Sequence, residues 1–89
     1  MPQPPRFSRE ELAYLTTVST NIDCECPRHL SDLVTGLQAF ERYSTLCAAR
    51  DGEDAALHVY LHDTTAAARA QLETALARVI EAEGIALES

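Results

Sequence analysis

Pro27-Arg-His-Leu-Ser-Asp-Leu-Val-Thr-Gly-Leu-Gln-Ala-Phe-Glu-Arg-Tyr-Ser-Thr-Leu-Cys-Ala-Ala-Arg50, followed by Asp51-Gly52, decides the fold of this chain. Leu30, Leu33, Leu37, Phe40, Ser44 and Cys47 recur at spacings of three and four, and Val34 broadens the row. That period predicts one amphipathic helix over residues 27–50. Pro27 suits a first helical position, where its fixed φ is pre-set and its missing N–H has no helical partner to lose. Cys26 is then the expected N-cap. Asp51-Gly52 marks a turn, and Asp51 with Asp54 is expected to cap the helix that follows.

Working outward, a third helix is expected from about residue 53 to 83. Leu57, Leu61, Thr64, Ala68, Leu72, Ala75 and Val79 form its stripe, widened by Leu76 and Ile80. Gly84 supplies the stop, and Ile85 folds back onto the last turn. Two long helices joined by a tight turn lie antiparallel. The hairpin brings Cys47 near His58, and Glu41 and Tyr43 near His62. On the other side of the deciding stretch, Ser8 and Glu11 match a capping box, with Phe7 and Leu12 at hydrophobic-staple positions. Leu12, Leu15, Val18 and Ile22 extend a first helix over about residues 9–20, and Thr16, Thr17, Ser19, Thr20 and Asn21 weaken its end.

The expected fold is therefore all-α: a short helix on a long antiparallel helical hairpin. Residues 1–7 form a Pro-rich, extended N-terminal arm, and residues 8–89 a single helical domain. At 89 residues and 46% hydrophobic content the chain can build a core. A monomer of this size buries only roughly 60% of its unfolded surface. Much of the apolar fraction is Ala, so the core is thin, and a dimeric helical bundle is the expected way to complete it.

Net charge limits the partners. Seven basic residues, all Arg, face fourteen acidic ones, for a formal charge of −7. Nucleic-acid binding needs clustered cations to neutralise phosphates, and these are scattered among carboxylates. Direct nucleic-acid binding and attachment to an anionic membrane are not expected. No apolar run reaches the length of a membrane span, and the N-terminus lacks a signal-peptide pattern, so a cytoplasmic, reducing location is expected. Three Cys there favour ligands or thiols over structural disulfides.

Cys24-Glu-Cys26-Pro-Arg-His29 gathers two thiols and an imidazole at a helix start. A Cys at a helix N-terminus is biased toward thiolate, and two thiolates with an imidazole suit zinc or iron. The C-x-C spacing is tighter than usual zinc patterns. The bland alternative makes Cys26 a cap, Cys24 a small loop residue and His29 a solvated side chain. Cys47 cannot join this set within one chain, because about 30 Å of helix separates it from Pro27. A second candidate metal site is Glu41 with His58 and His62, the two imidazoles sharing one helix face; the bland alternative is hydrogen bonding across the helix interface. No H-E-x-x-H, Ser-His-Asp arrangement or phosphate-cradling Gly loop is present, and an enzyme is not expected.

Cys24-Glu-Cys-Pro-Arg-His-Leu-Ser-Asp-Leu-Val, Phe40-Glu-Arg-Tyr-Ser and Asp54-Ala-Ala-Leu-His-Val-Tyr-Leu-His resemble the C-terminal helical segment of some bacterial MerR-type transcriptional regulators. The resemblance spans about residues 12–87. It implies a stand-alone regulatory or oligomerising domain that pairs with itself or with a regulator carrying the same segment. The DNA-binding and cobalamin-binding modules of that family have no counterpart here. The expected function is a non-enzymatic regulatory and oligomerisation domain, self-associating through helices 27–50 and 53–83. The alternative is a small metal-binding or thiol redox sensor built on Cys24, Cys26 and His29.

Overall fold

In a computed structural model, residues 4–18, 25–50 and 55–87 are described, with the backbone alone for Val18 and residues 48–50. The Ser8–Glu11 capping box closes in both directions. Ser8 N–H donates to Glu11 Oε1 at 2.9 Å, and Glu11 N–H donates to Ser8 Oγ at 3.1 Å. From there α1 runs over Arg9–Val18, α2 over Cys26–Arg50 and α3 over Ala55–Glu83. Gly84, at φ 65°, ends α3: its N–H reaches the Glu81 carbonyl, and Ile85 N–H reaches that of Ile80. These two bonds are the Schellman pattern, which needs a left-handed residue after the helix. Among the described residues there is no strand, and no helix is long and apolar enough to cross a membrane.

The start of α2 differs from expectation by one residue. His29 N–H donates to the Glu25 carbonyl at 3.0 Å, so Glu25, not Cys26, precedes the first helical residue. Cys26 occupies the first helical position and Pro27 the second. Proline is tolerated at either, because neither N–H has a helical acceptor.

α2 is shared: α1 packs on one side of it and α3 on another. α1 runs antiparallel to α2, its beginning beside Gln38, whose Nε2 donates to the Phe7 carbonyl at 3.2 Å. With 10 residues, α1 covers only part of the 25 residues of α2. The result is an elongated molecule of 49 × 21 × 19 Å. Phe7, Leu12, Leu15, Val34 and Leu76 make the core, with Leu30, Leu72, Ala77, Ile80, Ile85 and Leu87 packed against it.

The buried line of each hairpin helix is not its most apolar one. On α2 the buried residues are Pro27, Ser31, Val34, Gln38, Glu41 and Ser44. On α3 they are Ala66, Arg69, Glu73 and Leu76. Leu33, Phe40 and Leu57 from the expected stripes stand exposed instead, as do Thr64, Ala68 and Ala75. Leu37, Cys47, Leu61, Leu72 and Val79 are half-buried. Arg69, Glu41 and Glu73 bond one another on this inner line, and Ser31 and Gln38 bond main-chain carbonyls, so most of its polar groups are satisfied.

Candidate functional site

A closed polar cluster sits between α2 and α3. Arg69 is 1% exposed. Its Nε donates to Glu41 Oε2 on α2 at 2.7 Å, and its Nη1 to Glu73 Oε1, one turn along α3, at 2.7 Å. Side chains on a helix lean toward its N-terminus, so on antiparallel neighbours Glu41 and Arg69 lean toward each other. Burial disfavours the charged guanidinium, but hydrogen bonding and attraction from Glu41, then Glu73, outweigh it. The Arg69 pKa ends above its ordinary value.

The cluster also holds the N-terminal arm. Arg69 Nη1 donates to the Pro4 carbonyl at 3.3 Å, and Arg6 N–H donates to Glu73 Oε2 at 2.9 Å. With the Gln38 bond to Phe7, three buried side chains read the main chain of residues 4–7. Phe7, 6% exposed, anchors that segment in the core. The backbone of residues 4–7 is thus tied to both hairpin helices, while Pro4, Pro5 and Arg6 stay exposed. The i,i+4 pair Arg69–Glu73 and the polar row Gln38, Glu41, Ser44 were its signal in the sequence, masked by the stronger apolar stripes beside them.

The second feature is the outward apolar face. Leu33, Leu37 and Phe40 each come one residue before the buried Val34, Gln38 and Glu41. Ala68, Leu72 and Ala75 each come one residue before the buried Arg69, Glu73 and Leu76. One residue is about 100° of helical rotation. The same rotation about two antiparallel helices swings both rows to the same side of the hairpin. α1 lies on the opposite side of α2, beside Asp32, Thr35 and Arg42. Near the turn the apolar exposure widens: Tyr43 is 60% exposed, Leu46 58%, Val59 51% and Tyr60 64%. Phe40 and Tyr43 stack there with centroids 6.3 Å apart.

The candidate metal residues are dispersed. Cys26 and His29 are exposed at the start of α2, beside the Arg28–Glu25 pair at 3.2 Å, and Cys24 lies outside the described residues. Cys47 stands about 30 Å from Cys26, toward the other end of the same helix. Glu41 is bound to Arg69 rather than facing His62, and Arg69 lies about two turns beyond His62 on α3. His62 Nδ1 is 3.1 Å from Asp63 Oδ1, and His58 is half-buried. Among the described residues no three His, Cys, Asp or Glu side chains converge as a metal site. Compared with known proteins, the chain matches no family model, no curated protein and no solved structure.

Proposed function

We propose that this protein is a non-enzymatic regulatory domain that pairs with a second copy of itself through the outward face of α2 and α3. The observation that carries the proposal is that face: two apolar rows on one side of the hairpin, with no third layer over them among the described residues. Contiguous exposed apolar surface on a small protein marks an interaction site. Leu33, Leu37, Phe40, Leu57, Leu61, Ala68, Leu72, Ala75 and Val79 are all uncharged, in a chain of net charge −7. A face that excludes charge so consistently meets its own copy without bringing like charges together. Gly36, with open space around it, and the small Ala68 and Ala75 let helices approach closely. Two hairpins face to face form a four-helix bundle with a self-complementary interface.

The resemblance to the helical segment of MerR-type bacterial regulators supports a regulatory setting, with a regulator bearing that segment as a second partner. Sedimentation equilibrium tests the pairing. A dimer at micromolar concentration is expected, and the Leu33→Gln/Leu57→Gln variant is expected to sediment as a folded monomer. A stable monomer for the unmodified chain at those concentrations overturns the reading.

A further inference from the structure

Between α1 and α2, on the side of the hairpin away from the apolar face, runs an open groove of about 430 Å³. Arg9, Leu12, Ala13 and Thr16 line it from α1, and Asp32, Thr35 and Arg42 from α2. Its volume falls within the roughly 300–1,000 Å³ of small-molecule sites. Both threonines turn their hydroxyls to the backbone. Thr16 Oγ1 donates to the Ala13 carbonyl at 2.6 Å and Thr35 Oγ1 to the Ser31 carbonyl at 2.8 Å. Their methyl groups, with Leu12 and Ala13, make much of the floor apolar.

The charges are placed at the two ends. Because α1 and α2 are antiparallel, Arg9 and Arg42 share one end, while Asp32 lies about 15 Å along α2 from Arg42, toward the other. Among the described residues neither Arg9 nor Arg42 belongs to an ion pair. Two like charges on one groove repel until an anion lies between them, and two guanidinium groups match the oxygens of a carboxylate.

We propose that this groove binds a small amphipathic monocarboxylate of the acyl-chain class. Its carboxylate lies between Arg9 and Arg42, and its chain runs over Leu12, Ala13, Thr16 and Thr35. Asp32 at the far end repels a second anionic group, which selects monocarboxylates over dicarboxylates. The proposal is independent of self-association, because the groove and the outward face lie on opposite sides.

The test is a titration of the full chain with decanoate, decanol and decanedioate, followed by amide chemical shifts. Decanoate is expected to bind saturably at one site, with shifts centred on Leu12, Ala13, Thr16 and Thr35. Decanol and decanedioate are expected to bind about tenfold more weakly or worse. The Arg9→Gln/Arg42→Gln variant is expected to keep its helical circular dichroism and lose at least about tenfold in decanoate affinity. Equal binding of decanol, an unaffected double variant, or shifts centred on Leu33, Phe40 and Leu57 overturns the proposal. So does the absence of saturable decanoate binding.

Discussion

The two ends of the hairpin are built on opposite plans. At the end where α2 starts and α3 finishes, α1, the arm and the tail through Leu87 supply a third layer over Val34 and Leu76. Toward the other end, among the described residues, no third element packs on the pair of helices. Tyr43, Leu46, Leu57, Val59 and Tyr60 face out at that end, and the inner line of α2 carries Ser44. The polar cluster of Arg69, Glu41 and Glu73 lies between these regions. The core gathers at one end, while the larger share of exposed apolar side chains lies at the other.

The largest expected effect comes from breaking that boundary. Arg69→Ala leaves two buried carboxylates facing each other without their cation, and frees the Pro4 carbonyl from its donor. Loss of one partner from a buried charged network costs about 3–5 kcal/mol, measurable as a drop in the urea midpoint. Replacing the whole set with Arg69→Met, Glu41→Leu and Glu73→Leu is expected to be near neutral, because no unpaired charge is left. If the triple variant is as unstable as the single one, the cluster matters for shape rather than charge. The raised Arg69 pKa fixes the sign with pH: its stabilisation is complete below the ordinary arginine value and is lost only as pH rises through the folded one. No pH slope from Arg69 is expected near neutrality.

Next in size is a matched pair of truncations, one at each end. Leu76 is fully buried in the core, and Leu76→Ala is expected to cost about 2–5 kcal/mol in equilibrium unfolding. Leu57 is 53% exposed, and Leu57→Ala is expected to change the unfolding energy of the monomer by less than about 0.5 kcal/mol. Its effect belongs in the sedimentation profile instead. Equal destabilisation by the two changes removes the distinction between the ends.

Gly36 sharpens the comparison from the other direction. It lies within α2, with nothing near the position of an added Cβ. Gly36→Ala is expected to stabilise the helix by about 0.5–1 kcal/mol, seen as a higher midpoint in dilute solution. If the outward faces mate at Gly36, the added methyl also weakens the dimer at high concentration. The two readouts then move in opposite directions.

Element positions were legible because their signals are local. The Ser8–Glu11 box and the Gly84 stop each specify backbone bonds within a few residues, and both formed as expected. The orientation of the hairpin helices was not legible from apolar periodicity, since the apolar row of α2 is the row facing out. Periodicity locates the most apolar face. It does not say whether that face meets the same chain, and Gln38, Glu41 and Arg69 become good interior residues only once they are paired. For the same reason Glu41, a plausible ligand beside His62 in the sequence, is the partner of Arg69 in the fold. The Cys26 and His29 positions were legible as exposed groups at a helix start, but their chemistry depends on Cys24, outside the described residues.

The smallest effect, and the finest probe of the turn-proximal end, is Ser44→Ala. Ser44 is 1% exposed, and its Oγ has no hydrogen-bond partner among the described residues. Ser31, Thr35 and Thr45 on the same helix all donate to the carbonyl four residues back, so the orphaned hydroxyl is particular to this site. Removing an unsatisfied buried hydroxyl relieves its desolvation cost, and Ala is the better helix former. A gain of up to about 1 kcal/mol is expected in dilute solution. A loss of stability instead means that the hydroxyl bonds to a water or a second chain. The concentration dependence separates those two: a loss that grows with protein concentration locates the partner of Ser44 in the second copy.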